Sequence, residues 1–262
     1  MHYNINALEI RKQIDDKPGM AYSLGNIGLV YWKQGEYPNA LKSYFEALKT
    51  DKELGNKDGI SRHLANMGLI YWNMGDFNNA LKHSFESLGI YKELGNKNHI
   101  SSILGNIGLI YSNQKDTVNS LRYYQQALEM SKELENESNI AVILGNIGNI
   151  YMEQGKYSRA LKNFQEALAI DVELNNKNGR VRHMGNIGIL YTKQNKFSEA
   201  EKILTQALVI CDSIGALSEI MQIEKVISED LYAKTSQFQK AYKHYQSYCQ
   251  AKDSIFNEEK SK

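Results

Sequence analysis

The stretch Leu24-Gly25-Asn26-Ile27-Gly28-Leu29-Val30-Tyr31 decides the fold, because versions of it return four more times at intervals of 40 residues. The later copies of its Gly-Asn-Ile-Gly centre begin at Ala65, Gly105, Gly145 and Gly185. Sequence periods of roughly 20 to 50 residues are typical of proteins that stack one small structural unit many times. We therefore predict a chain of repeated units, each of which packs mainly on its neighbours.

Each unit reads as two helices separated by a turn. Residues 24–31 place Leu24, Ile27, Gly28 and Tyr31 at positions i, i+3, i+4 and i+7, which form one stripe on a helix. A glycine inside a helix costs roughly 1 kcal/mol relative to alanine, so we expect a second helix to pack closely against Gly28. Gly35 is placed to end the first helix, and Tyr-x-x-Ala-x-x-x-Tyr over residues 37–44 begins the second.

This order of residues resembles the tetratricopeptide repeat (TPR) family in a 40-residue variant. The tryptophan usual in the first helix is replaced by Leu24, Leu64, Leu104, Leu144 and Met184. The variant is similar to the repeats of kinesin light chain and cortical-polarity adaptors, and to the TPR regions of bacterial histidine kinases and transcription regulators. The resemblance implies an all-α fold, a right-handed TPR superhelix (an α-solenoid of helix-turn-helix repeats) with a concave groove lined by the first helices.

The repeat register predicts a single solenoid over residues 1–262. The expected divisions are a half repeat at 1–17, full repeats at 18–57, 58–97, 98–137, 138–177 and 178–216, and a degenerate terminal repeat with a helical tail at 217–262. In that last unit Phe238, Ala241 and Tyr245 match the second-helix pattern with a shift of one residue. The half repeat leaves open that the sequence is a fragment of a larger signalling protein.

Composition excludes several classes of function. The chain has 31 Lys+Arg and 30 Asp+Glu, a net charge of +1, which argues against a nucleic-acid partner. Its apolar runs are only a few residues long, far short of the about 20 that span a bilayer, so no membrane insertion is expected. Cys211 and Cys249 form no spaced framework and are interpreted as free thiols in a reducing compartment, which predicts a cytoplasmic protein.

An asparagine row is the predicted binding feature. With about 100° per residue, Asn26 lies near 200° from Leu24 and points away from the core of its own hairpin. Such amides offer both donors and acceptors to the backbone of an extended peptide. The predicted peptide-binding residues are Asn26, Asn66, Asn106, Asn146 and Asn186, an apolar floor of Leu29, Leu69 and Leu109, the anchors Trp32 and Trp72, and Arg62 and Arg182 to receive acidic groups.

A second interpretation of the asparagine row stays open, because an asparagine inside a helix also fits a bridge that fixes the next repeat. The resemblance favours binding, since asparagines at this motif position contact bound peptide in kinesin light chain and similar adaptors. No metal-ligand spacing, phosphate loop or nucleophile with a base is found, so no enzyme, cofactor or metal is predicted.

The predicted function is a non-enzymatic module that binds an extended peptide or protein segment in its concave groove, with a setting in signalling. Three alternatives are kept. One is the sensor or dimerisation region of a histidine kinase or transcription regulator. Another is a self-associating scaffold, a homo-oligomer formed through exposed terminal helices. The third is a quorum-peptide receptor.

Overall fold

The computed structural model describes residues 1–260, and within that range it contains thirteen α-helices, one π-helix and no strand. The helices group into two compact units, Met1–Glu135 and a second that starts at Asn136. The first unit holds α1 His2–Gln13, α2 Lys17–Lys33, α3 Tyr37–Leu54, α4 Lys57–Asn73, α5 Phe77–Glu93, α6 Lys97–Asn113 and α7 Thr117–Glu133. The second holds α8 Glu137–Glu153, α9 Tyr157–Glu173, α10 Lys177–Lys193, α11 Phe197–Ile214, α12 Leu217–Lys225, the π-helix Val226–Tyr232 and α13 Phe238–Lys260.

Consecutive helices pair into hairpins, beginning with α2 and α3, so the predicted all-α helix-turn-helix repeat fold is confirmed. The turn inside the first hairpin is closed by Gly35 at φ 76°, where the amide of Glu36 donates to the Tyr31 carbonyl at 2.9 Å. Lys115 occupies the equivalent place with φ 62°, although it carries a side chain. The repeat therefore imposes the left-handed turn even where glycine is missing.

Gly28 meets the ring of Tyr44 from α3, as the sequence predicts for a glycine inside a helix. A Cβ at Gly28 would lie 2.9 Å from Tyr44 Cε2, closer than packed atoms allow. The same contact recurs between Gly148 and Phe164 in the second unit. Each glycine thus lets a second-helix aromatic ring pack directly on the backbone of the first helix.

Successive hairpins are joined by contacts between a second helix and the first helix that follows it. In the first unit, Asp51 of α3 lies 3.0 Å from Nε2 of His63 of α4, and both side chains are buried. In the second unit, Asp171 of α9 and His183 of α10 repeat the pair at 3.2 Å. Both carboxylates also accept from an asparagine amide, Asn56 at 2.9 Å and Asn176 at 2.7 Å.

The π-helix Val226–Tyr232 explains the one-residue shift in the last hairpin. Asn195 and Ser236 both have positive φ, 58° in each case, but they stand 41 rather than 40 residues apart. A π-helix has a wider turn than an α-helix and takes up an extra residue without breaking the backbone hydrogen bonds. The extra residue is therefore accommodated inside the first helix of this hairpin, and α13 follows it in place.

Candidate functional site

The five predicted asparagines lie on the first helices of their hairpins, and each side chain is half-buried. Within residues 1–260, four of the five amides make no hydrogen bond to another protein group. Asn66 is the exception, because its amide lies beside the Tyr44 hydroxyl. The row is thus a set of partly sheltered hydrogen-bond donors and acceptors, of which Asn66 alone has a neighbouring polar group in the preceding hairpin.

The glycines beside the asparagines have a packing role that the sequence did not reveal. A Cβ at Gly25 would lie 2.9 Å from Cε1 of His63, and Gly145 meets the ring of His183 in the same way. The small residue therefore makes room for the imidazole of the next hairpin, in addition to leaving the neighbouring amide accessible.

One cavity lies on this face of the first unit, between α2 and α4, with the ring of Tyr44 from α3 among its walls; we call it the α2/α4 cavity. Its volume is about 170 Å³. Its lining includes Tyr22, Gly25, Asn26, Leu29, Tyr44, Arg62, His63 and Asn66. Four of the predicted site residues are brought together here, namely Asn26, Leu29, Arg62 and Asn66.

Two polar atoms of residues that line this cavity are buried and lack a hydrogen bond of regular geometry within the described chain. They are the Tyr44 hydroxyl, which lies beside the Asn66 amide, and Nδ1 of His63. Burial raises the pKa of Tyr44 to about 12, so the phenol keeps its proton. Burial also lowers the pKa of His63, against the opposing effect of Asp51, so the imidazole is neutral near pH 7.

A second cavity lies in the second unit, between α10 and α12, and we call it the α10/α12 cavity. Its volume is about 330 Å³. Its lining includes Arg182, Gly185, Asn186, Ile189, Leu204, Gln222, Ile223 and Val226. Two predicted site residues, Arg182 and Asn186, are brought together here with an apolar wall that the prediction did not contain.

The two cavities occupy equivalent places, because each residue of the first corresponds to one of the second exactly four 40-residue periods later. Glycine, asparagine and an aliphatic residue are kept, as Gly25/Gly185, Asn26/Asn186 and Leu29/Ile189. The other positions change, as Tyr22/Arg182, Tyr44/Leu204, Arg62/Gln222, His63/Ile223 and Asn66/Val226. The two cavities therefore share one plan and differ where Tyr44, His63 and Asn66 are replaced by Leu204, Ile223 and Val226. The lining of the second cavity also includes Asn178, Val181 and Glu219.

The two arginines are exposed and sit at the mouths of different cavities. Arg62 lies 3.7 Å from Asp58 across one helical turn, with both side chains about half exposed. An exposed pair of this kind contributes little to stability, so the guanidinium remains available to an acidic group.

The remaining predicted residues lie outside these two cavities. Leu69, Leu109 and Trp72 are half-buried, each on a first helix. Trp32 packs against the hydrophobic cluster that contains Ala40 and Tyr44. Its ring is therefore partly occupied by the core, which reduces the area that it offers to a ligand.

Sequence reasoning missed His63 and Tyr44 as site residues. A signal was present, since Asp51 and His63 stand twelve residues apart and the same pair returns at Asp171 and His183. An aspartate and a histidine that return twelve residues apart in two repeats indicate a contact between the two positions.

No group of three or more His, Cys, Asp or Glu side chains within residues 1–260 is arranged to hold a metal ion. No helix in the same part of the chain combines the length and the apolar character that crossing a membrane requires.

Stacked helical hairpins with sheltered amides on their first helices define a helical-repeat protein whose fold is that of a protein-interaction module. Models described as tetratricopeptide repeat match residues 21–54, 59–133 and 139–213. The chain belongs to the tetratricopeptide repeat family. Folds of this family are typically non-catalytic interaction scaffolds. No curated protein sequence matches the chain.

Solved structures with a similar fold come from several proteins. BtubC (BKLC) from P. vanneervenii is 20% identical, with a TM-score of 0.71 over 82% of this chain and 90% of that one. Aspartyl phosphate phosphatase F from Bacillus subtilis is 17% identical, with a TM-score of 0.76 over 94% and 74%. The Rap conjugation gene regulator of plasmid pLS20, in complex with the Phr* peptide, is 15% identical, with a TM-score of 0.65 over 95% and 77%.

Proposed function

We propose that this chain binds an extended peptide or protein segment along the first helices that carry the asparagine row. The observation that carries the proposal is the state of the amides, which are half-buried and, apart from Asn66, uncommitted to other protein groups within residues 1–260. A row of such groups can hold a peptide by its backbone, at about 0.5–1.5 kcal/mol for each hydrogen bond.

The two cavities supply what backbone contacts lack, which is selectivity for side chains. Each lies next to an asparagine of the row, Asn26 in the first unit and Asn186 in the second. Micromolar binding needs roughly 8 kcal/mol, more than a few net hydrogen bonds provide, so side chains buried in pockets would have to contribute the remainder. The likeness to a gene regulator solved with a peptide supports a setting in signalling, in the cytoplasm.

The test uses one asparagine from each unit. A random nonapeptide library displayed on phage is selected on the wild-type protein, and the recovered peptides are then measured against the Asn106→Ala, Asn146→Ala double variant. We expect binding to weaken roughly 10- to 100-fold, as the loss of two to three hydrogen bonds implies, with an unchanged melting temperature.

A matched control removes exposed amides from second helices, in the Gln126→Ala, Gln165→Ala variant, which should bind like wild type. If the asparagine variant instead melts several degrees lower, the amides are bridges between repeats and the proposal fails. Equal binding by both variants would also contradict it.

Self-association is a second candidate, supported by the exposed face of α13. Phe238, Tyr242 and Tyr245 are 68%, 64% and 46% exposed, and their spacing places them on one side of the helix. A second copy of this chain would cover that face. Sedimentation velocity should then detect a dimer of the wild type that Tyr242→Glu dissociates and Lys243→Gln leaves intact; a monomeric wild type at high concentration contradicts this candidate.

A further inference from the structure

The α10/α12 cavity has an apolar floor and a polar mouth. Three of its lining residues are at most 5% exposed and form the floor, namely Val181, Leu204 and Ile223. Three others are exposed to solvent at the mouth, namely Asn178, Arg182 and Gln222. A concave site with hydrophobic walls and a few polar groups at its edge is the usual form of a site that takes up an apolar group.

The α10/α12 cavity is also about twice as large as the α2/α4 cavity, with volumes of about 330 and 170 Å³. Leu204 and Ile223 stand where the first unit has the rings of Tyr44 and His63, and both are shorter side chains. An apolar cavity of roughly 150 Å³ is large enough for a benzene-sized group. The α10/α12 cavity therefore has room for one large apolar side chain.

Gly185, in the wall of this cavity, is not required by packing within residues 1–260. Outside its own stretch of α10, a Cβ at Gly185 would have Cγ1 of Ile223 as its nearest neighbour, at 4.0 Å, which is an ordinary van der Waals contact. At Gly145 the same addition would collide with the ring of His183. A glycine inside a helix is less favourable than alanine, and its missing side chain allows another backbone to approach closely. Gly185 thus leaves the backbone of α10 open on the side of the cavity.

Asn186 follows Gly185 and lines the same cavity with a half-buried amide that makes no hydrogen bond to another protein group within residues 1–260. This amide can pair with the main chain of a peptide. Arg182 and Glu219 line the cavity with opposite charges, so the lining does not favour a ligand of either sign. A charged side chain on the apolar floor would lose its water without gaining a partner there. Size and apolar character are therefore the properties that the cavity selects.

We propose that the α10/α12 cavity is a subsite for one large apolar side chain, a leucine, methionine or phenylalanine, of a bound peptide. The side chain covers Leu204, Ile223 and Val226, which line the cavity. The main chain of the peptide passes over Gly185, where Asn186 holds it. This inference rests on the proposed function and adds the class of side chain that the site takes.

The experiment compares two variants that add the same methyl group at different places. Gly185→Ala adds it inside the cavity, and Gly89→Ala adds it on the second helix α5, where a Cβ would meet no atom within 4 Å. The displayed nonapeptide library is selected on wild type, on both variants and on beads without protein. We expect an apolar residue to be enriched at one peptide position on wild type and Gly89→Ala, and its enrichment to fall about tenfold or more on Gly185→Ala.

The best peptide is then compared with its analogue that has alanine at the enriched position. The analogue should bind wild type about tenfold or more weakly, and the difference between the two peptides should shrink on Gly185→Ala. Both glycine variants should melt at or above the temperature of the wild type, because alanine favours the helix.

Several results would overturn the subsite and leave peptide binding standing. They are peptides without an apolar preference, a preference that Gly185→Ala retains, and an equal loss of binding in Gly89→Ala. A lower melting temperature of Gly185→Ala would also overturn it, since packing would then require the glycine. A wild-type dimer that Gly185→Ala dissociates in sedimentation velocity would make a second copy of this chain the occupant. The absence of any enriched peptide overturns the subsite and the proposed function together.

Discussion

The α2/α4 and α10/α12 cavities are built by the same backbone plan and differ in side chains. In the first, Tyr44, His63 and Asn66 surround the space; in the second, Leu204, Ile223 and Val226 take their places. The comparison teaches that the repeat conserves the position of a pocket within this chain while its chemistry varies. Binding selectivity in such a protein is therefore decided a few positions at a time, without changes to the hairpins.

One residue that lines the first cavity, His63, belongs to a buried pair. His63 is held by Asp51, whose carboxylate also accepts from Asn56. In the second unit the corresponding places are taken by Ile223 and Cys211, which are both buried and apolar. The two cavities thus differ behind the wall as well as in it, since Asp51 accompanies His63 and Cys211 accompanies Ile223.

Removing one member of the Asp51–His63 pair should have the largest effect on the stability of the protein. His63→Ile leaves the Asp51 carboxylate, 1% exposed, without its imidazole partner, and we expect the free energy of unfolding to fall by about 3 kcal/mol. The Asp51→Cys, His63→Ile double variant copies Cys211 and Ile223 and should recover most of that loss. Urea denaturation of the wild type and both variants measures the difference, and equal stability of the single and double variants would refute the coupling.

Lowering the pH should also destabilise the folded protein through His63, with a smaller effect on the free energy of unfolding. Because the pKa of His63 is lowered in the folded protein, the imidazole contributes stability above pH 6.5, the ordinary histidine pKa, and this contribution is lost as the pH falls below it. One such group costs up to about 1.4 kcal/mol per pH unit. The charged groups that act on it are Asp51 and Arg62.

Urea denaturation between pH 7 and pH 4 should therefore give a shallower decline for the Asp51→Cys, His63→Ile variant than for the wild type. Part of the slope should persist, because burial lowers the pKa of His183 to about 4 in the second unit. An identical slope for both proteins would mean that His63 is already solvated or protonated in the folded state.

Much of the fold could be predicted from the sequence, because the determinants are local and repeated. Gly28 at i+4 of an apolar stripe indicated a close helix contact, and Tyr44 provides it. Lys115 departs from the glycine pattern, and the backbone there adopts positive φ all the same. The 40-residue period is enough to predict such helix contacts and turns, because each is formed within one repeat.

The candidate site was only partly predictable, because it depends on which side chains of different helices meet. Wheel geometry placed Asn26 on an outward face, but it could not state that Gly25 packs on His63 or that Tyr44 and His63 line one cavity. Those facts depend on the offset between successive hairpins. The aliphatic wall of the α10/α12 cavity, formed by Leu204, Ile223 and Val226, was missed for the same reason.

The π-helix Val226–Tyr232 has a consequence for how such chains change length. Adding one residue to an α-helix turns everything after it by about 100°, which would rotate the following helix off its packing surface. Here seven residues absorb the addition, and Ser236 still closes the turn with a φ of 58°. A hairpin that is one residue longer than its neighbours can therefore pack beside them, because the π-helix takes up the extra residue within about two helical turns.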